Sequence, residues 1–223
     1  IGYTGSGYAG CLLAMDKELS KRLFRDAGIP TPEWVWYDTA DGNPDDLIAQ
    51  IGLPCVVKPN DCGSSVGVSI VSDRAALEAA LSEAAKWGRR VLVEKKIVGR
   101  ELTVGVLDGR ALPPVEIIPK SGFYDYRNKY QGTTLEICPA EIPAGITSLV
   151  SSLSLRAFEV LRLDGYARFD FILDANGTPW CLEANALPGM TPTSLLPQEA
   201  AAVGISYPDL CERILLLSMR KKR

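Results

Sequence analysis

Arg168, Asp170, Glu183 and Asn185 carry the clearest chemical signal in the sequence. Arg168 and Asp170 alternate with Ala167, Phe169 and Phe171, which predicts a strand with one apolar face and one mixed face. Asn176-Gly177 predicts a tight hairpin turn after it. A two-residue loop sets Asp170 opposite Glu183 and Arg168 opposite Asn185, with Glu183 and Asn185 on the face of Cys181. Two carboxylates directly opposed repel each other, and a divalent cation between them reverses that effect. Carboxylate and amide oxygens are hard ligands, suited to Mg²⁺ rather than zinc. The alternative is an exposed face on which Arg168 offsets the two acids.

Lys58 ends an apolar run and precedes Pro59 and the small-residue loop Gly63-Ser64-Ser65-Val66-Gly67. Such a loop lets backbone N–H groups approach an anion, and the lysine adds a point charge. The order of residues is not that of a Walker A loop, and a plain hairpin with a surface lysine is the competing reading. Gly5-Ser6-Gly7-Tyr8-Ala9-Gly10 matches G-x-G-x-x-G, but no strand precedes it, so it reads as a linker or loop rather than a dinucleotide fingerprint. Lys17, Glu94 and Glu101, taken singly, pass as surface residues. Tyr124, Tyr126, Arg127, Lys129 and Tyr130 crowd one long segment, 119–140, which is too aromatic for a disordered linker and reads as a lid.

Composition narrows the chemistry further. The 223 residues contain no histidine, which excludes a Ser-His-Asp triad, a Cys-His pair and a His-ligated zinc within this chain. Lysine and arginine number 24 against 27 acidic residues, a net charge of −3, so the basic excess of a nucleic-acid partner is missing. The terminal Arg220-Lys221-Lys222-Arg223 reads as a solvated helix end. None of the six cysteines forms a C-x-x-C pair, and several sit in apolar runs, so they read as small buried hydrophobes of a reducing compartment. No apolar run reaches the ~18 residues of a membrane span. A chain that begins at Ile1 reads as part of a longer product.

The elements that must position these residues follow from pattern. Asp16 opens a helix with Leu19, Leu23, Phe24 and Ala27 on one face, stopped by Gly28. Strands are expected at 34–36, 55–58, 68–71 and 91–97, with a short helix at 45–50 and a longer one through Leu77, Ala80, Leu81 and Ala84. Residues 102–107 and 111–118 form a hairpin around Asp108-Gly109. A helix through Leu149 to Leu161, the 166–185 hairpin, a proline-rich loop and a final helix from Pro208 complete the chain. The order is not a steady β-α-β alternation, and it predicts an α+β fold with antiparallel sheets, divided near residue 93.

Taken in order, these segments resemble the D-alanine–D-alanine ligases of the ATP-grasp superfamily. The matching stretches are Ala14-Met15-Asp16-Lys17, Ala27-Gly28-Ile29-Pro30-Thr31-Pro32, Val57-Lys58-Pro59 with Gly63–Val68, Val93-Glu94-Lys95, and Gly99-Arg100-Glu101. They continue through Phe123-Tyr124-Asp125-Tyr126, Lys129-Tyr130, Arg168-Phe169-Asp170, Leu182-Glu183-Ala184-Asn185, Pro188-Gly189-Met190-Thr191 and Ser194-Leu195. Any one is weak, but the ordered set spans nearly the whole chain.

The resemblance implies an ATP-grasp fold of two α+β lobes clasping ATP: a central lobe at 1–93, with a linker from a further N-terminal domain, and a C-terminal lobe at 94–223. It implies ligation of two D-alanines through an acyl phosphate for peptidoglycan, in the cytoplasm, with no nucleic acid or membrane partner and with a homodimer left open. Lys17, Lys58 and Lys129 match phosphate contacts, Ser65 a further ATP contact, Glu94, Lys95 and Ile97 the adenine hinge, and Glu101 the ribose ligand. Asp170, Glu183 and Asn185 match the ligands of two Mg²⁺ ions, a site that also admits Mn²⁺. Arg168 and Gly189 match the stabilisers of the oxyanion, and Ser194 and Leu195 the contacts to the second substrate. Ser64 and Tyr130 match a hydrogen-bonded set that orders the lid. A D-Ala–D-Ser or D-Ala–D-lactate ligase, or a nucleotide-binding fragment lacking one substrate wall, are the competing functions; Tyr130 argues against the lactate type.

Overall fold

The computed structural model describes residues 3–40, 42–63, 65–119 and 134–220. Two antiparallel sheets organise them. The smaller holds β1 (Trp34–Asp38), β2 (Cys55–Pro59), β3 (Ser69–Val71) and β4 (Arg90–Lys95) in the order β1-β4-β2-β3. Its alternate residues Cys55, Val57, Val91 and Val93 pack under helices α3 (Pro44–Ile51) and α4 (Arg74–Ala85), against Leu47, Leu77 and Leu81. Asn43 and Asp73 cap these two helices through the N–H groups of Asp45 and Ala76, at 3.0 and 2.8 Å.

The larger sheet runs β10-β9-β5-β7-β8, with β6 paired to β5. Its strands are β5 (Gly99–Leu107), β6 (Arg110–Ala111), β7 (Val115–Pro119), β8 (Thr134–Ile137), β9 (Tyr166–Asp174) and β10 (Pro179–Asn185). One face carries Leu102, Val104, Phe169 and Phe171, buried under helices α1 (Tyr8–Met15), α2 (Lys17–Asp26) and α5 (Ala144–Val160). Each of the two phenylalanines is fully buried and contributes about 1.5–3 kcal/mol by area alone. Helices α6 (Leu195–Ala202) and α7 (Tyr207–Met219) cover one end of the opposite face through Leu196, Leu210 and Ile214. The rest of that face turns toward the small sheet and is the floor of a cleft.

Four expectations change. The glycine-rich lead stops at Gly7, the N-cap of α1, so Tyr8 onward is helix rather than loop. The segment expected to be irregular over 119–140 has strand at both ends, since Pro119 closes β7 and Thr134–Ile137 pairs with it as β8. Residues 120–133, and with them the aromatic lid, lie outside the described residues. The proline-rich loop before the last helix contains α6, which accepts Pro197 in its first turn, where no intrahelical N–H is lost.

The fourth concerns the 166–185 hairpin. Its turn holds three residues, Ala175 to Gly177, because the Asp174 N–H donates to the Thr178 carbonyl at 3.0 Å and Gly177 takes a φ of +82°. Pairing therefore starts one step out of the expected register, with Leu173 opposite Pro179 and Phe171 opposite Cys181. A β-bulge at Leu182 restores it, so Glu183 still faces Asp170 and Asn185 faces Arg168. The bulge also breaks the alternation. Cys181 lies in the core with Phe171, not on the face of Glu183 and Asn185 as expected.

Gly99 begins β5 where it meets the end of β9, and a Cβ there would lie 2.1 Å from the Leu173 carbonyl oxygen. Gly99→Ala should cost about 1–3 kcal/mol, the usual range for overpacking. A urea unfolding curve is the measurement, and a midpoint equal to wild type would show that these strands are not held so closely.

Candidate active site

A cavity of about 750 Å³ lies between the two sheets. Its walls include Lys17, Lys58, Ser65, Glu94, Lys95, Ile97 and Glu101, every described residue that the sequence assigned to ATP. Asp170 and Glu183 stand on its floor. Ser64, Lys129 and Tyr130 lie outside the described residues.

Lys58 reaches the cleft because β2 turns its Val56 and Lys58 away from the helices. On β4, Glu94 faces the same way, one diagonal step across. The Lys58 ammonium donates to Glu94 Oε1 at 2.7 Å, and Lys21 of α2 sits 3.0 Å from Oε2. All three side chains are almost wholly buried. Burial pushes the Glu94 carboxyl up, and Lys21 and Lys58 more than offset it, holding the group below the usual carboxylate range. Burial presses the Lys21 ammonium the other way, down to about 8, against the opposing pull of Glu94. Lys21 also donates to Thr31 Oγ1 at 2.8 Å and lies 5.2 Å from the centre of the Trp34 ring.

Lys21 was not legible as a site residue. Sequence periodicity put Leu19, Leu23, Phe24 and Ala27 of α2 inward. The most deeply buried line is Lys17, Ser20, Lys21 and Phe24, at the same helical spacing. A polar stripe at i, i+3, i+4 leading into the apolar Phe24 at i+7 is the signal that would have found it.

Lys17 is the first residue of α2, fixed there by Asp16, whose carboxylate accepts from the Leu19 N–H at 3.0 Å. Its ammonium donates to the carbonyl of Cys62 and lies 3.8 Å from Glu183 Oε2. Burial lowers its pKa, Glu183 opposes that, and the nearby Lys58 adds to it. Two ammonium groups crowded into one partly dry cleft favour an anionic ligand that would relieve both. A smaller cavity of about 160 Å³ adjoins the first, sharing Lys17, Cys62 and Glu183 and adding Asn185.

On the floor, Asp170 is held from three sides. Its Oδ1 accepts from Thr103 Oγ1 at 2.7 Å and from Arg168 Nε at 2.9 Å. Its Oδ2 accepts from Arg168 Nη2 and Asn185 Nδ2, each at 3.0 Å. Thr103 comes from β5, directly across from Asp170 in the ladder, and its role was not read from the sequence. Burial works against the Arg168 charge and is overcome by Asp170, so the guanidinium is held firmly protonated. Among the described residues no three His, Cys, Asp or Glu side chains converge as a metal cluster. The donor set is two carboxylates and an amide, all oxygen ligands on one face of adjacent strands, which suits a hard cation that keeps further oxygen ligands of its own. Such a cation would compete with Arg168 for both oxygens of Asp170.

Gly189 and Ser194 come together beyond the end of β10. A Cβ on Gly189 would lie 3.0 Å from Ser194 Oγ. Ser194 is the N-cap of α6, and its Oγ accepts from the Thr191 N–H at 3.1 Å. Leu195 is buried against Val115 and Ile117, which anchors the start of α6 to β7.

The D-ala D-ala ligase C-terminus family model matches residues 23–216. A D-alanine--D-alanine ligase of Synechococcus sp. (strain JA-3-3Ab) is 45% identical over 216 residues, covering 96% of this chain and 67% of that protein. One from Methylacidiphilum infernorum is 45% identical over 219 residues, with 98% and 70% covered. The chain thus spans about two thirds of the length of these relatives. The crystal structure of the Bacillus anthracis ligase superposes with a TM-score of 0.89 at 40% identity, covering 99% of this chain and 72% of that one. A second structure of that ligase, described as complexed with ATP, gives 0.87 at 36% identity. Sequence and fold agree over nearly every residue of this chain, and the chain belongs to the D-alanine–D-alanine ligase family.

Proposed function

We propose that this chain carries the ATP-grasp portion of a ligase that joins two D-alanines at the cost of ATP, supplying D-alanyl-D-alanine for peptidoglycan. The reading rests on one observation: two buried lysines and two opposed carboxylates meet in a single cleft between two antiparallel sheets. We divide the molecule near residue 93 into a central lobe and a C-terminal lobe. The ATP supply places the reaction in the cytoplasm, and a homodimer is compatible with this chemistry without entering it.

Lys17 and Lys58 bind the phosphates of ATP, with the backbone around Ser65 over them. Glu94 keeps Lys58 extended into the cleft, while Lys95 and Ile97 flank the base and Glu101 the ribose. Asp170, Glu183 and Asn185 would hold Mg²⁺, which when bound neutralises charge on the phosphate oxygens. A carboxylate oxygen of the first D-alanine attacks the γ-phosphorus, ADP leaves, and an acyl phosphate results. The amine of the second D-alanine, its own carboxylate held at Ser194 and Leu195, attacks the acyl carbon. The C–O bond to phosphate then breaks and the amine gives up a proton. Negative charge gathers on the acyl oxygen in that step, and Arg168 with the Gly189 backbone stabilises it. A fixed guanidinium there favours the transition state over the ground state.

Phosphate release from ATP, with D-alanine, D-serine and D-lactate offered separately as the second substrate, tests the reading. Release with D-alanine supports it, and release with only one of the others reassigns the specificity. Glu183→Gln should abolish turnover while leaving the thermal midpoint within a few degrees, because a neutral amide cannot replace the carboxylate opposite Asp170. Turnover near wild type in that variant would remove Glu183 from the cation site.

Arg168→Met separates two roles of one side chain. It should lower kcat by about 10²–10³, the cost of one oxyanion donor in comparable sites. Because Arg168 occupies both oxygens of Asp170, its removal should also tighten Mn²⁺ binding, read by electron paramagnetic resonance without turnover. Recovery of kcat at high Mg²⁺ would mean that Arg168 only balances the acids.

A further inference from the structure

Glu199 is fully buried on α6, forms no ion pair among the described residues, and takes no part in the chemistry above. Its Oε1 accepts from the Gly105 N–H at 2.9 Å, while its Oε2 has no hydrogen-bond partner among the described residues. Gly105 lies in β5 directly across from Arg168. A Cβ on Gly105 would fall 2.2 Å from Glu199 Oε2 and 2.4 Å from Leu196 Cδ1. Directly paired residues point to the same face of a sheet. The Glu199 carboxyl therefore occupies the side-chain space of residue 105, beside Arg168 and on its face.

The sequence explains why a side chain must serve there. β5 pairs with β7 as far as Thr103 and with β6 from Val106 onward, leaving a gap at Val104 and Gly105. Pro113 and Pro114 lie in the connection between β6 and β7, and the Pro114 carbonyl is taken by the Ala140 N–H at 2.7 Å rather than by Gly105. Gly105 spends its carbonyl on the Leu112 N–H at 2.8 Å, and its own N–H goes to Glu199. Burial holds the Glu199 carboxyl well above the usual carboxylate range, against the opposing pull of the Gly105 N–H and of Arg168.

We propose that Glu199 is a positioning residue for the ligation step. Its carboxyl fastens α6, whose N-terminus is the Ser194 turn, to the strand position opposite Arg168. It thereby fixes the distance between the second substrate's carboxylate and the oxyanion arginine. The inference rests on the roles given above to Arg168 and Ser194. Reaction geometry tolerates little drift: a displacement near 1 Å can cost about 10²-fold. Leu196 packs α6 onto the sheet without setting its orientation, whereas a hydrogen bond to one N–H does.

The test compares E199Q with E199M, two side chains of similar size of which only the first can accept from Gly105. E199Q should keep kcat within about twofold of wild type. E199M should fold, lose about tenfold in kcat and raise the KM of the second D-alanine, with the KM of ATP unchanged. Equal kcat in the two variants would overturn the proposal, as would a loss in E199M spread evenly over both substrates. Should E199M fail to fold, G105A/E199A replaces it, the new methyl taking up the space the carboxyl leaves. The same fall in kcat is then expected, and wild-type kcat in the double variant would show that Glu199 only fills volume. Arg168→Met measured alongside keeps the two readings apart. Normal kcat there sinks the site assignment itself, whereas its loss there with E199M unaffected sinks only the role of Glu199.

Discussion

A carboxylate caught between two lysines holds the two halves of this molecule in register. Glu94 belongs to the small sheet, as does Lys58, but Lys21 arrives on a helix whose Phe24 is buried in the core of the large sheet. The pairing therefore joins two separate hydrophobic cores through one buried anion. Removing a partner from such a group leaves an unbalanced charge in a dry place, typically at about 3–5 kcal/mol. The same anion keeps Lys58 from folding back onto its own strand. The joining of the two cores and the placement of Lys58 in the cleft thus depend on one side chain.

The floor of the cleft obeys a different constraint, that of sheet register. Thr103, Arg168, Asp170, Glu183 and Asn185 come from three neighbouring strands and meet only because each falls on the same face of its own strand. Asp170 is satisfied on both oxygens before any cation arrives, so the site is stable without one and not preset for it. Arg168 supplies two of those hydrogen bonds, so the group that quiets the carboxylate is the one proposed above to stabilise the oxyanion. Under that proposal, a cation bound to Asp170 and release of the arginine would be one event.

Much of this was legible in the sequence. Strict alternation through 166–172 put Arg168 and Asp170 on one face, whereas Asp170 faces Glu183 only because the bulge at Leu182 cancels the extra residue of the turn; the antiparallel character followed from the lack of β-α-β order. The failures have physical causes. The polar stripe of α2 is buried by ion pairing, which apolar periodicity does not detect. β8 is a short edge strand paired with β7, and its four residues, Thr134 to Ile137, are too few for their pattern to stand out. α6 carries a proline in its first turn and contains a buried acid, both of which read as loop. Cys181 was placed on the wrong face because a bulge leaves no mark in composition.

That bulge and the three-residue turn form a pair of opposite errors. The turn advances the pairing by one residue and Leu182 gives it back, so the strand segment between them is out of phase with both the loop and the site. A phase boundary of this kind isolates what lies beyond it. If the tip of the hairpin slips, the mismatch has only the pairs from Leu173 to Phe171 to cross before it meets a point where the ladder is already interrupted. The carboxylate pair is thereby insulated from the part of the hairpin most exposed to insertion and deletion. A lineage can remodel the loop around Asn176 without moving Asp170 and Glu183.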